Sequence, residues 1–257
     1  MQRRLMCVLA HPDDESLGTG GTLARYAAEG VEISLVTATR GERGRFGDTG
    51  ERPSPDVIGR TREAELRAAA RELGVRDVTV LGYPDGGLDT VDAAEAQNVI
   101  AGHLCRVRPQ LVISFGPEGA YGHPDHVAIS QLTTAAILRA GDRGGVQKLY
   151  HIAWSATTWA AYESALKKLT STVDGVERQV IPTPDWGVTT RIDTRDVWPT
   201  VWRAVQCHRT QMSIYRGLAA LPDEHHRALW GAQEYYRAFS LVNGGRRRES
   251  DLFEGVR

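Results

Sequence analysis

Short apolar runs alternate with longer amphipathic stretches through the first half of the chain. The apolar runs end at polar or turn-forming residues, as buried strands do, and cover residues 5–10, 33–38, 78–81 and 111–115. The longer stretches have helical spacing, end at glycine or before proline, and cover residues 17–29, 57–73, 91–107 and 125–140. This alternation predicts an α/β fold, a mostly parallel sheet with helices on both faces.

The second half of the chain has a less regular pattern. It predicts strands at residues 149–154, 179–182, 188–192 and 236–242, and helices at residues 159–169 and 194–211. Neither an internal repeat nor a linker composition interrupts the chain, so we predict a single domain over residues 1–257. Residues 1–145 form its regular half, and residues 146–257 are expected to shape the pocket. The charged tail after Asn243 is expected to fray.

Composition places the chain among ordinary globular proteins. Hydrophobic residues make up 41% and charged residues 25% of its 257 residues, which excludes a disordered chain. A net charge of −1 lacks the basic excess of nucleic-acid-binding proteins, so we expect no nucleic-acid partner. The three cysteines are far apart and form no CxxC pair, which favours a cytoplasmic location. No run approaches the roughly 20 apolar residues of a membrane span, and we expect none.

The most polar segments follow two of the predicted strands. The first strand runs into HPDDE at residues 11–15, and the fourth is followed by YGHPDH at residues 121–126. Parallel sheets bind ligands at the carboxyl ends of their strands, so a site is expected there. A catalytic zinc takes nitrogen and oxygen ligands from three residues and keeps one open position. Two histidines and one carboxylate suffice, which leaves at least one carboxylate and one imidazole for proton transfer.

Each segment has a plainer interpretation when it is taken alone. The acids at residues 13–15 suit the first turn of a helix, where they cap N–H groups and complement the helix dipole. The glycine-rich residues 18–22 suggest a nucleotide loop, although Leu23 replaces its third glycine and Glu32 opens the second strand instead of closing it. The alternative function is therefore a Rossmann-like nucleotide-binding module without hydrolase activity.

Taken together, the motifs resemble the PIG-L/LmbE-like family of zinc-dependent N-deacetylases. The specific pair is AHPDDE at residues 10–15 with HPDH at residues 123–126. Further segments follow the family's order over most of the chain: TRGERG, REAEL, YPDGGL, HRTQ and DLFEG. The resemblance implies a Rossmann-like sheet with the site at the carboxyl ends of the strands. It also implies hydrolysis of the N-acetyl group of an N-acetylglucosamine conjugate, a small-molecule substrate.

The resemblance implies a metal centre and a base. It assigns the metal to His11, Asp14 and His126, with zinc as the ion or another divalent transition metal in its place. Asp13 is similar to the family's general base, which takes a proton from water.

The resemblance also implies roles for residues around the substrate. His123 is similar to the imidazole that supports the oxyanion and the leaving amine, with Asp125 setting its charge or tautomer. Tyr121 lies where some members place a tyrosine that helps the oxyanion. Arg62 and Asp85 resemble sugar-contacting positions.

Some features of the function stay open at this point. His208 and Gln211 lie on one predicted helix, where they suit either the positioning of site residues or structural capping. The group linked to the sugar, the pathway and the oligomeric state follow neither from the motifs nor from the composition.

Overall fold

A seven-stranded sheet forms the centre of the computed structural model, which describes residues 2–47, 50–166, 170–173, 175–245 and 247–256. The order of its strands is β3-β2-β1-β4-β5-β9-β8. The strands are β1 (Arg4–Leu9), β2 (Glu32–Thr39), β3 (Asp77–Tyr83), β4 (Leu111–Ser114), β5 (Lys148–Ala153), β8 (Thr190–Asp193) and β9 (Ala232–Ser240). Strands β6 (Thr170–Val173) and β7 (Val176–Gln179) form a separate antiparallel pair.

The first five strands run parallel, and the last two of the large sheet close it on one side. Strand β9 pairs antiparallel with both β5 and β8. This arrangement confirms the predicted α/β fold with a mostly parallel sheet. The strand order reverses between β1 and β4, and this is where open sheets of this kind bind their ligands.

Helices cover both faces of the sheet. They are α1 (Asp14–Ala28), α2 (Pro55–Glu72), α3 (Ala93–Val107), α4 (Gly119–Gly122), α5 (Pro124–Ala140), α6 (Ala156–Leu166), α7 (Trp198–Cys207), α8 (Arg216–Ala219) and α9 (Asp223–Trp230). Helices α1 and α2 pack against α7, whereas α3 packs against α5. Two of these helices have N-cap side chains. Ser54 and Asp92 accept hydrogen bonds from backbone N–H groups in the first turns of α2 and α3.

The central strands follow from their sequences. Every residue of β1 after Arg4 is buried, because helices cover both faces of a central parallel strand.

A second apolar cluster lies under the less regular half and centres on the fully buried Trp230. No helix among the described residues is long and apolar enough to cross a membrane.

Several predicted elements of the second half are wrong in their bounds. The strand expected at residues 179–182 is instead β7, which ends at Gln179; Val180 turns into the second apolar cluster, and Pro182 has no N–H group for a ladder. The helix expected at residues 194–211 covers only Trp198–Cys207. Thr194 bonds through its hydroxyl and its N–H group to the carbonyls of Trp230 and Gly231 instead of opening the helix, and His208 leaves the helical conformation with a ψ angle of 61°. Helix α6 begins three residues earlier than predicted, and residues 167–169 lie outside the described residues.

The described part of the charged tail does not fray, contrary to the expectation. Leu252 and Phe253 are buried, and the Tyr26 hydroxyl donates to Asp251 over 2.6 Å. The buried Lys148 ammonium donates to the Leu252 carbonyl over 3.1 Å. Tertiary hydrogen bonds therefore fix a segment whose composition alone suggests a loose end.

Candidate active site

A pocket of about 580 Å³ opens at the carboxyl ends of β1 and β4. Residues of the loop after β1 and of the α4–α5 turn line its floor. Eight of the nine site residues predicted from the sequence line it: His11, Asp13, Asp14, Arg62, Asp85, Tyr121, His123 and His126. The ninth, Asp125, is fully buried behind His11. A larger groove lies at the opposite end of the sheet, where parallel sheets do not place their ligand sites.

The turn between β1 and α1 holds Asp13 in an unusual backbone conformation. Its φ angle is 107°, in the left-handed region that favours glycine and costs other residues about 1–3 kcal/mol. Its side chain makes no capping hydrogen bond, so the plain helix-cap interpretation does not describe Asp13. The Asp14 carboxylate turns back instead and accepts the His11 N–H over 2.7 Å. The turn therefore directs two adjacent acids toward the pocket.

Two imidazole nitrogens and one carboxylate group converge at the floor of the pocket. The Nδ1 atom of His11 lies 3.2 Å from Nε2 of His126. The Oδ2 atom of Asp14 lies 3.7 Å from Nδ1 of His11, and its Oδ1 atom lies 3.5 Å from Nε2 of His126. A tetrahedral zinc ion with bonds of about 2.0–2.1 Å places its ligand atoms roughly 3.3 Å apart. The two imidazoles and the carboxylate therefore fit one divalent ion in both chemistry and spacing.

The other nitrogen of His11 faces two carboxylates. Its Nε2 atom lies 3.0 Å from Asp125 and 3.2 Å from Asp85. Burial works against the charged imidazole, but the carboxylates of Asp125, Asp85 and Asp14 together raise the pKa of His11 to about 10. A ligating histidine commonly donates its free N–H to a carboxylate, which fixes the ring and its tautomer. Two groups of side chains have ligand atoms close enough together to hold an ion: His11 with His123 and His126, and His11 with Asp85 and Asp125.

The position of Asp125 differs from the one expected from the sequence. Its carboxylate contacts His11 rather than His123, and it also accepts two backbone N–H groups from the loop after β3. His123 instead accepts the backbone N–H of Asp125 at Nδ1 over 3.2 Å. The physical reason is the start of α5, where His123 is the N-cap residue and Asp125 turns inward in the first turn.

His123 is neutral and carries its proton on the nitrogen that faces away from the cap. Burial and the neighbouring His11 and His126 lower the pKa of His123 to about 4. Because Nδ1 accepts a hydrogen bond, the neutral ring carries its proton on Nε2. The ring centroid lies 4.7 Å from that of His11. His123 can therefore donate a hydrogen bond beside His11 and His126.

Two aromatic side chains pack on His126. Phe115, just after β4, stacks on it at 3.8 Å between ring centroids with 7° between the planes. Tyr121 contacts it edge-on at 5.5 Å. Burial raises the pKa of Tyr121, so its phenol keeps its proton. The preceding Ala120 has a φ angle of 63°, so this turn also stores backbone strain.

The Asp13 carboxylate is held by a cation and a phenol. Arg62 and Tyr215 each place a donor 3.2 Å from its Oδ2 atom. The guanidinium of Arg62 also binds the carbonyls of Pro12 and Gly41, which fixes it at the base of the pocket. Burial raises the pKa of Asp13, while the charge of Arg62 acts in the opposite direction. No local sequence pattern points to Tyr215, which follows Asp13 by 202 residues.

His208 contacts the turn at Asp13 through Glu15, which favours the first of the two interpretations left open by the sequence. Its Nε2 atom lies 2.8 Å from Glu15, and Glu15 accepts the backbone N–H of Asp13 over 3.0 Å. Both side chains are buried. His208 therefore supports the strained turn at Asp13 through Glu15. Gln211 donates to the carbonyl of Arg45 over 2.7 Å and so holds a loop that lines the pocket.

One wall of the pocket is apolar and comes mainly from the second half of the chain. Its side chains are those of Leu17, Trp154, Trp159, Tyr162, Val180, Ile214 and Tyr215. The loop after β2 contributes Arg43 and Arg45 on the polar side. The pocket therefore has a polar floor with ionisable groups and an apolar side wall.

Comparison with known proteins confirms the resemblance inferred from the paired motifs. The family model described as PIG-L, GlcNAc-PI de-N-acetylase, matches residues 6–137. A 1D-myo-inositol 2-acetamido-2-deoxy-alpha-D-glucopyranoside deacetylase from Mycobacteroides abscessus is 37% identical, over 99% of this chain and 98% of its own.

Solved structures share the fold. A conserved protein from Thermus thermophilus is 27% identical with a TM-score of 0.64, over 93% of this chain and 96% of its own. The 4-carboxy-2-hydroxymuconate hydratase from Pseudomonas putida is 21% identical with a TM-score of 0.68, over 95% of this chain and 99% of its own. Because that hydratase shares the fold, the fold alone does not define the chemistry. The family match and the deacetylase relative together show that this chain belongs to the PIG-L family, described as GlcNAc-PI de-N-acetylases.

Proposed function

We propose that the protein is a metal-dependent hydrolase that removes the N-acetyl group from an N-acetylglucosamine glycoconjugate. The observation that carries this proposal is the convergence of His11, Asp14 and His126 at the floor of a pocket, beside the partly buried carboxylate of Asp13. Family membership and the deacetylase relative support the same reaction.

His11, Asp14 and His126 would hold the ion, and their two nitrogens and one oxygen favour zinc, with another divalent transition metal as the substitute. When bound, such an ion polarises the amide carbonyl and makes water more acidic. Asp125 and Asp85 hold His11 through its Nε2 atom, so they fix the ring that presents Nδ1 to the ion.

Asp13 is the proposed base. It lies next to the ligand Asp14 in the sequence, and it lines the pocket. Arg62 and Tyr215 occupy its Oδ2 atom, so Oδ1 is the oxygen that would accept the proton of the attacking water.

Tyr121 and His123 are the proposed donors to the oxyanion. The phenol of Tyr121 keeps its proton, and neutral His123 carries an N–H on Nε2. Both side chains line the pocket next to His126. Removing one donor of this kind typically lowers turnover about 100- to 1000-fold. We also propose that the proton taken from water by Asp13 passes to the nitrogen of the leaving amine as the C–N bond breaks.

The substrate is proposed to be N-acetylglucosamine linked to a second group, with an inositol-linked sugar as the first candidate because of the activity named for the relative. Arg62 and Asp85 line the pocket, which supports contact with the sugar, although both also bond to the protein. The three free cysteines, Cys7, Cys105 and Cys207, support a reducing cytoplasm as the location.

The nucleotide-binding alternative is not favoured. Helix N-termini bind phosphate through free N–H groups and a positive dipole end. Here the first turn of α1 carries Asp14 and Glu15, and Asp13 precedes it. Three acids at this position repel a phosphate group.

The proposal is tested by turnover of N-acetylglucosamine glycosides that differ in the linked group. We expect release of acetate, loss of activity with a chelator, and recovery when zinc is returned. Asp13→Asn should lower turnover about 100- to 10,000-fold with metal still bound. An exposed acid, Asp142→Asn, serves as the control. Full activity in the presence of the chelator, or in Asp13→Asn, would contradict the proposal.

A further inference from the structure

Tyr215 makes a contact that none of the motifs accounts for. Its hydroxyl lies 3.2 Å from Oδ2 of Asp13, the same oxygen that Arg62 binds. Within the described part of the chain, no hydrogen bond reaches the other oxygen of Asp13, Oδ1. The two donors therefore bind the same oxygen of a carboxylate that lines the pocket.

The ring of Tyr215 is fixed by packing. It is 7% exposed and belongs to the apolar cluster with Leu218 and Trp159. A tyrosine has few rotatable bonds, so a buried ring places its hydroxyl at a defined point. The hydroxyl of Tyr215 is thus held in place independently of Asp13.

Arg62 alone does not fix the carboxylate in the same way. One nitrogen of Arg62, Nη2, serves both the Pro12 carbonyl and Asp13, and its Nη1 binds the Gly41 carbonyl. A single shared donor leaves the carboxylate free to turn about its own axis. A second donor from another direction removes that freedom, and Tyr215 supplies it from a different part of the fold.

We propose that Tyr215 is a positioning residue for Asp13: with Arg62 it binds Oδ2, so that Oδ1 faces the substrate and accepts the proton. This inference rests on the proposed function, because it assigns Asp13 as the base. Tyr215 acts through Asp13 and has no role in holding the ion.

The test compares Tyr215→Phe, which removes only the hydroxyl, with Tyr26→Phe. Tyr26 also donates to a carboxylate, that of Asp251 over 2.6 Å, but it lies outside the pocket. We expect Tyr215→Phe to lower kcat about tenfold, the scale of one hydrogen bond to a charged group. KM and metal content should change by less than about twofold, because the lost hydroxyl acts only through Asp13. Tyr26→Phe should lower the melting temperature and leave kcat unchanged.

The outcomes separate this inference from the proposed function. A kcat of Tyr215→Phe equal to that of the wild type, or a loss of kcat that follows a loss of metal, would overturn the role of Tyr215. If the wild-type protein cleaves no acetamido sugar, the proposed function fails instead. The positioning of Asp13 is then still tested by crystal structures of the wild type and of Tyr215→Phe. We expect the Asp13 carboxylate to rotate in Tyr215→Phe. An unchanged carboxylate would refute the positioning role.

Discussion

At the scale of single residues, His11 connects the two halves of the site. Its Nδ1 atom faces Asp14 and His126, and its Nε2 atom faces Asp125 and Asp85. One imidazole therefore links the proposed ion to two buried acids. The acids keep the ring in place, and they fix the proton on Nε2 when Nδ1 binds a metal.

This arrangement predicts the effect of Asp125→Asn. In the wild type the carboxylate of Asp125 bonds to His11 and to two backbone N–H groups. An amide in its place accepts fewer hydrogen bonds. We expect zinc affinity, measured by titration with a competing chelator, to fall about 10- to 100-fold. Asp142→Asn, at an exposed acid, should bind zinc like the wild type. Unchanged affinity together with a large loss of kcat would point to His123 as the partner of Asp125 instead.

At the scale of elements, the end of α7 supports the start of α1. His208 follows α7 and bonds to Glu15 in the first turn of α1, and Glu15 in turn holds the backbone N–H of Asp13. The less regular half thus fixes the strained turn of the regular half. The charge of Glu15 raises the pKa of His208 against the effect of burial.

Replacing His208 should therefore affect both stability and activity. His208→Ala removes the imidazole that balances the charge of the buried Glu15, and we expect the free energy of unfolding to fall by about 3 kcal/mol. His208→Gln keeps a donor, so it should lose less stability and retain more activity. Urea unfolding and turnover of the wild type, His208→Ala and His208→Gln check this prediction. Equal losses in the two variants would show that the contact to Glu15 does not matter.

The elements also show how far the sequence could be interpreted. Strands β1, β2 and β4 match their predicted bounds closely, because strands buried on both faces are continuous apolar runs. Strand β9 begins at Ala232, earlier than predicted. Its early residues Gln233 and Glu234 are polar yet buried, since each pairs with a distant backbone N–H, at Thr22 and Ser155. Such partners leave no local pattern.

The site residues also divide into those that a local sequence pattern predicts and those that depend on contacts between distant segments. The motif residues around His11 and His126 are close in sequence to strand ends, so their meeting followed from the topology of a parallel sheet. Tyr215 and the contact between Asp125 and His11 depend on packing between distant segments. Neither could be predicted from spacing.

At the scale of the whole molecule, one buried acid ties the tail to the sheet. Glu249 accepts hydrogen bonds from Lys148 on β5 and Thr190 on β8, and it pairs with Arg237 on β9. Tyr150 donates to the same carboxylate. Because β8 and β9 complete the sheet begun by the first half, we propose that the two halves form one domain.

This network predicts how stability depends on pH. Burial would raise the pKa of Glu249, but Lys148, Thr190 and other donors lower it from 4.5 to about 2. The stabilisation is therefore fully present above about pH 4.5 and is lost as the pH falls toward 2. Glu249→Gln should unfold about 3 kcal/mol more easily at pH 7, because Lys148 loses its counter-charge.

Urea unfolding from neutral pH to strong acid checks this prediction. The difference between wild type and Glu249→Gln should shrink across the acid range. An exposed acid, Glu224→Gln, is the matched control and should follow the wild type. A constant difference at every pH would contradict the role of the ionised carboxylate.

The central claim is that His11, Asp14 and His126 hold one ion. It is tested most directly by anomalous diffraction at the zinc edge from crystals grown with zinc. We predict one strong peak within about 2.0–2.2 Å of Nδ1 of His11, Nε2 of His126 and a carboxylate oxygen of Asp14. A peak on the other side of His11, between Asp85 and Asp125, or no peak at either place, would contradict the account.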